Sequence, residues 1–289
     1  MVKAAFVHKT STTPYKQFFN SGWENIAGME VFVGMEYLKE IDGKFDICLV
    51  GPGGFRYDED LYRKTSQRTK FVFIDDEDMH HSIEQIRCIA SYYDYVCIYS
   101  ELNWIALKSL GVKNVLHILP SADPRYFWAM ENVEKSFDIT FIGQQGSYNR
   151  IGEGTRLDYL IQLDGRKDIK TFIGRGFYCE DANKLYNQSK IGLDLPVTFA
   201  VGARSFQIAL TNAMLMIPAG IRSKLWYDHF TPGKDYAEFE PTFTGFHEAI
   251  RHWLEDSAGQ KRFSDSMREK VLAEHTFQHR FEEILNNLQ

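Results

Sequence analysis

Asp75 to His81 reads DDEDMHH, four carboxylates and two imidazoles within seven residues. Three chemistries use such a set. Asp76-x-Asp78 offers hard oxygen ligands at a spacing that holds a divalent cation. Acidic residues at a helix start cap its N–H groups and favour its dipole. A positioned carboxylate or imidazole, finally, takes a proton from a hydroxyl. Asp76 and then His80 are the candidates for that last role, followed by His8 at the end of AAFVH; Asp75 is a further acidic candidate. The letters alone allow all three chemistries, so the choice rests on the elements around them.

Those elements alternate regularly. AAFVH, FDICLVG, KFVFID, YVCIYS and NVLHILP are short apolar runs without polar alternation, as strands buried on both faces require. MEVFV reads as a strand, with a helix as the alternative. Between the runs lie helical segments: YKQFFNSGWENIAG, ELNWIALKSLG, and Met79 to Tyr93, where Met79, Ile83, Ile86, Ile89 and Ala90 keep a helical period. Asp78 is the expected cap of that last helix. Pro120 to Ser136, with two prolines and a charged tail, reads as a linker. The rhythm then restarts with DITFIG, IKTFIG, KIGLDLP and AMLMIP. Helices are expected near Thr155–Leu163, Asp181–Asn187 and Ala203–Thr211, and TFTGFHEAIRHWLED is the best amphipathic segment. The expected fold class is α/β: two Rossmann-like, doubly wound domains in tandem, residues 1–125 and 126–289, with the break between Pro120 and Lys135.

Composition narrows the function. The chain has 289 residues, 44% hydrophobic and 25% charged, enough for a sizeable core. A net charge of −6 gives no general attraction to nucleic acid or anionic membranes. It leaves room for a local basic track such as YRKTSQRTK, Tyr62 to Lys70. The four cysteines form no Cys-x-x-Cys pair, and no apolar run approaches the roughly 20 residues of a membrane span. KAAFVH at the start carries no leader pattern. The expectation is a reduced, cytoplasmic protein, of a cell or of a virus-infected host.

FIGQQG and FIGRG both end an apolar strand in glycine, at Gly143 and Gly174. Glycine lets backbone N–H groups approach an anion closely. A tight turn explains one such end equally well; two matched ends, with Arg150, Arg156 and Arg175 nearby, favour phosphate. No Gly-x-Gly-x-x-Gly follows the first strand, and there is no Walker-type loop or Gly-x-Ser-x-Gly elbow. These absences argue against ordinary dinucleotide domains, P-loop NTPases and the commonest hydrolases.

FDITFIGQQGSYNRIGEGTRLDYLIQL, LYNQSKIGLDLP, GARSFQIALTNAMLMIP and HTFQHRFEEIL follow one another in the order and spacing of the CgeB-like (spore-maturation-like) glycosyltransferases. The second half therefore resembles that family. The resemblance implies a GT-B fold with an inter-domain cleft. It also implies a nucleotide-diphosphate sugar held by the second domain, with a UDP-sugar first in expectation, and an acceptor facing the first. It places Gly143 and Gln144 under the donor phosphates, Arg150 on the diphosphate, and Arg204 and Ser205 at an anion-binding helix start. His275, Thr276 and Arg280 match the terminal motif and are expected to fix the last helix. Since arginines neutralise the diphosphate in such enzymes, no metal is required. Asp76, His80 or His8 would then serve the acceptor hydroxyl as base.

The sequence departs from the pattern at two carboxylates. The family's Arg-x-Phe-Glu reads Arg204-Ser205-Phe206-Gln207, so an amide stands where a carboxylate would meet a ribose diol. Eight residues earlier the second carboxylate is Phe199. Both losses favour inversion over retention. Trp23, Trp104 and Trp226 could stack on a sugar or base, with core packing as the alternative, and Asp194 and Pro196 could line the donor pocket. The leading expectation is transfer of a hexosyl or pentosyl group to an acceptor hydroxyl. The alternatives are a viral DNA glycosyltransferase acting on a hydroxymethylated base, a non-catalytic nucleotide-sugar-binding protein, and an epimerase of the same fold.

Overall fold

A computed structural model describes residues 2–8, 22–33, 37–51, 68–75, 82–146, 150–196, 201–220 and 223–288. Asp76, His80, Phe199, most of the basic stretch and the first part of the YKQFFNSGWENIAG helix lie outside them.

The chain forms two compact units, Met1–Ile118 with Phe281–Gln289, and Leu119–Arg280. Unit 1 carries six strands: β1 (Ala4–His8), β2 (Met29–Val33), β3 (Ile47–Val50), β4 (Lys70–Asp75), β5 (Tyr95–Ile98) and β6 (Val115–His117). They pair in parallel in the order β2-β1-β3-β4-β5-β6. MEVFV is thus a strand, on the sheet edge. The connecting helices include α1 (Leu38–Ile41), α2 (Ile83–Ala90) and α3 (Glu101–Ser109). Val7, Val50, Phe73, Ile86, Val96 and Leu107 pack into one apolar core.

Asp78, the expected cap of α2, lies outside the described residues. Ser82 is the N-cap; its hydroxyl accepts from Gln85 N, and the Gln85 side chain accepts from Ser82 N. This reciprocal box satisfies two orphan donors with a serine and an amide.

In unit 2, β7 (Phe137–Ile142), β10 (Thr171–Gly174), β11 (Ser189–Leu193), β12 (Met214–Pro218) and β13 (Ala237–Phe239) form a parallel sheet in the order β10-β7-β11-β12-β13. A small antiparallel hairpin joins β8 (Arg150–Ile151) to β9 (Gly154–Thr155). The helices are α4 (Arg156–Asp164), α5 (Cys179–Asn187), α6 (Ala203–Ala209), α7 (Lys224–His229), α8 (Phe243–Glu255) and α9 (Ser257–Glu274), and α10 (Phe277–Asn287) begins in unit 2 and ends in unit 1. Thr155 caps α4 through a box with Asp158, and Thr242 caps α8. Ile139, Phe141, Tyr159, Leu193, Met216, Phe239 and Phe246 share the core. Gly192 in β11 lets α6 come close: a Cβ there would lie 2.5 Å from Ile208 Cγ2.

The stretch expected to link two domains belongs instead to unit 2, and the division falls after Ile118 rather than between Pro120 and Lys135. Trp128 N donates to Asn183 Oδ1 and Met130 N to Asn187 Oδ1, both at 3.0 Å. Lys135 Nζ donates to the carbonyls of Asn187, Ser189 and Asn212 at 2.7 to 3.0 Å. Burial pushes this ammonium down to about 8. Nor do residues 126–289 stay together, because the last nine residues fall in unit 1.

Candidate functional site

Each sheet has one switch point, where the strands on either side of its first strand lead the chain in opposite directions. It lies between β1 and β3 in unit 1 and between β7 and β11 in unit 2. Open parallel sheets bind ligands outside the carboxyl ends of their strands at this point.

At the unit 2 switch point, Arg204 in the first turn of α6 bridges the two strand ends. Its Nε donates to the carbonyl of Ile142 at 2.7 Å, and its Nη1 to Asp194 Oδ1 at 2.8 Å. The guanidinium lies over the Phe141 ring, 4.7 Å from its centroid. The Ser205 hydroxyl donates to Asp194 Oδ2 at 2.6 Å. Gly143 follows β7 with φ of +153°, and a Cβ there would lie 3.0 Å from Arg204 Cζ. Glycine is thus required twice, by the backbone angle and by the arginine. Gly143 N donates to the carbonyl of Gly174 at 2.8 Å, so the two matched glycine ends are bonded to each other.

A second guanidinium, Arg156, supports the same edge from within. It is buried; its Nε donates to the carbonyl of Leu195 at 2.6 Å and its Nη1 to that of Gln144 at 2.7 Å. The loops after β7 and β11 are each tied to an arginine. Two guanidinium groups against one carboxylate leave an excess positive charge at the switch point, which suits an anion.

These bonds bring Gly143, Gly174, Arg204 and Ser205 to the ends of β7, β10 and β11, with Gln144 held through its carbonyl by Arg156. Ser205 is fully buried, and its hydroxyl, bonded to Asp194, sets the start of α6. Arg150 is exposed on the β8–β9 hairpin, where it donates to the carbonyl of Glu153. Arg175 is exposed just past Gly174, and Gln207 is half-buried on α6. Sequence reasoning placed Asp194 at a strand end but missed its pairing with Arg204, and grouped Arg156 with Arg150 and Arg175 as cations near the glycine ends. A charged residue straight after an apolar strand was the available signal for Asp194.

In unit 1, His8 ends β1 beside the switch point. It is 8% exposed, stacks on Phe6 at 5.4 Å, and has Nε2 2.8 Å from Glu24 Oε1. A carboxylate against one ring nitrogen holds the imidazole in one orientation. Glu24 had no role in the sequence reading. Asp75 is fully buried at the end of β4. Trp23 and Trp226 are buried, and Trp104 packs on the unit 1 core and stacks on His117 at 5.9 Å, so these three tryptophans serve packing.

Among the described residues, His229, Glu274 and His275 have ligand atoms close enough to share a metal ion. The surroundings oppose one. Arg280 Nη2 contacts His275 Nδ1 at 2.5 Å, and Lys270 Nζ donates to the His229 carbonyl at 3.0 Å. Burial, then the charges of Arg280, His229, His279 and Lys270, hold His275 down to about 3. A cation would sit among cations. Arg280 also donates to the Glu274 carbonyl at 2.9 Å, and Thr276 Oγ1 pairs with His279 Nδ1 at 2.8 Å. These bonds fasten the start of α10.

Residues 131–286 match the family described as glycosyl transferase-like, and the chain belongs to it. A comparison with curated protein sequences gives no significant match. Solved structures are similar in fold. TarM matches with a TM-score of 0.63 and 11% identity over 88% of this chain, which spans 57% of TarM's length. HepE from Anabaena, in complex with UDP, matches with a TM-score of 0.65 and 10% identity, covering 99% of this chain and 100% of HepE. An alpha-glucosyltransferase in complex with UDP and a mismatched 13-mer DNA gives a TM-score of 0.65 and 9% identity, covering 99% of each chain. The fold is GT-B, two α/β units with parallel sheets. Among the described residues no helix is long and apolar enough to cross a membrane.

Proposed function

We propose that the chain transfers a sugar from a nucleotide-diphosphate sugar, with UDP as the first nucleotide to test, to an acceptor hydroxyl, and that it needs no metal ion. The observation that carries this reading is the cluster of Arg204, Asp194 and Gly143 across the ends of β7 and β11. It offers an anchored cation at a glycine strand end, where a parallel sheet binds its ligand. The diphosphate is the group of a sugar donor that requires such charge. In the transfer, the acceptor oxygen attacks the anomeric carbon, the bond from that carbon to the phosphate oxygen breaks, and the charge leaves on the nucleoside diphosphate. The acceptor proton passes to a base of unit 1. Asp76 and His80 keep that role on sequence grounds, and His8 gains support from Glu24. Gln207 and Phe199 in place of carboxylates favour inversion.

Calorimetry with UDP-, GDP- and dTDP-sugars, followed by a transfer and hydrolysis assay with and without chelator, tests the proposal. Micromolar binding of one donor and turnover untouched by chelator are expected. Failure of every donor to bind, or activity that returns only with manganese or magnesium, sinks it. Binding without turnover would instead support a non-catalytic nucleotide-sugar receptor. DNA is the second acceptor to test, because an alpha-glucosyltransferase bound to DNA shares this fold along its full length. Duplex binding that falls steeply with salt would favour it.

A further inference from the structure

We propose that Asp194 is the positioning residue for the donor phosphates, acting through Arg204; the inference rests on the donor reading above. Asp194 is 1% exposed and both its carboxylate oxygens are engaged, Oδ1 by Arg204 Nη1 and Oδ2 by the Ser205 hydroxyl. Its backbone N–H donates to the carbonyl of Met216 at 3.0 Å, which locks the residue to β12. Asp194 therefore has no means of touching a donor and every means of holding the arginine. The Arg204 side chain is 20% exposed. It is held by the Ile142 carbonyl and Asp194 and laid on Phe141, so its accessible part is presented in one orientation at the switch point. An arginine otherwise loses much side-chain entropy on binding a phosphate, and pre-positioning removes that cost. The carboxylate also offsets part of the guanidinium charge. Position and charge thus pull donor affinity in opposite directions, and position dominates here because the carboxylate is turned inward onto Arg204 and Ser205.

Two substitutions separate them. Asp194→Ala removes both the hold and the charge; Asp194→Asn keeps an acceptor oxygen and the shape but removes the charge. With Asp194→Ala, UDP affinity should fall about tenfold to a hundredfold, the value of a lost charged contact, while uridine affinity stays within about threefold. The donor KM should rise with kcat nearly kept. Asp194→Asn should restore UDP affinity to within about threefold of the parent. An unchanged UDP-to-uridine ratio in Asp194→Ala overturns the proposal, as does an Asn variant no better than Ala. If Asp194→Ala fails to fold, Ser205→Ala, which loosens the carboxylate only, should lower UDP affinity about threefold with uridine unchanged, and no change overturns the proposal. Failure of the parent protein to bind UDP or any nucleoside diphosphate would be a failure of the donor reading, a result distinct from these.

Discussion

Gly143→Ala tests the geometry of the switch point without any assumption about ligand. Two costs follow from the structure. At φ of +153° a residue with a Cβ is strained, at roughly 1–3 kcal/mol. The added methyl would also lie 3.0 Å from Arg204 Cζ and closer to Nη2, so the guanidinium must move. Moving it breaks the bonds to Ile142 and Asp194 and leaves a buried carboxylate without its cation. A charged hydrogen bond of this kind contributes about 1.5–3 kcal/mol. Together the change should cost roughly 2.5–6 kcal/mol, a large part of the stability of an ordinary domain. Urea unfolding followed by circular dichroism reads the loss. The decisive measurement is the cycle with Arg204→Ala. Without the guanidinium the methyl has no clash, so the cost of Gly143→Ala should shrink by about 1.5–3 kcal/mol, to its backbone part. The same cost in both backgrounds would show that Arg204 is not why glycine stands there.

Burial of neutral His275 makes stability depend on pH. Its folded-state value near 3 lies below the ordinary 6.5, so between these values the unfolded chain binds the extra proton and stability is lost as pH falls below about 6.5. The loss approaches about 1.4 kcal/mol per pH unit for this one group. His275→Gln should flatten the pH dependence of the urea midpoint between pH 6.5 and 4 by about that slope, and an unchanged slope would refute the argument. Gln207→Glu should tighten donor binding in calorimetry if the side chain faces a ribose diol; equal or weaker binding removes it from the site. Asp76→Asn should lower kcat about a hundredfold with donor affinity kept, if Asp76 is the base. Should it stay active while His8→Gln and Glu24→Gln both lose that factor, the base is His8.

Most strands were legible in the sequence for one physical reason. A parallel strand buried on both faces cannot alternate, so KFVFID and FDICLVG read as unbroken apolar runs. β13, three residues of AEF, is too short to carry a pattern. The linker failed for the opposite reason. Prolines and charges from Pro120 to Ser136 have the composition of a solvated connector, yet Lys135 is held by carbonyls 52 to 77 residues away. The return of Phe281–Gln289 to unit 1 is likewise a tertiary fact with no local mark.

The candidate site divides along the same line. Glycines at strand ends declare themselves by position, after FI in both DITFIG and IKTFIG, and Gly143 and Gly174 meet in one hydrogen bond. Arginines do not declare their work. Arg150, Arg156 and Arg175 look alike in sequence, all close to the glycine ends. Only Arg156 is buried, and its bonds to Gln144 and Leu195 hold the loops at the switch point while Arg150 and Arg175 remain exposed. What separates them is the partner each finds across the sheet. For Arg204 that partner is Asp194, ten residues earlier in the chain and on the other side of the switch point from Ile142. A carboxylate that looked like a possible pocket lining is thereby the group that fixes a cation, and the motif residue Ser205, expected at an anion-binding helix start, is buried in fixing that carboxylate.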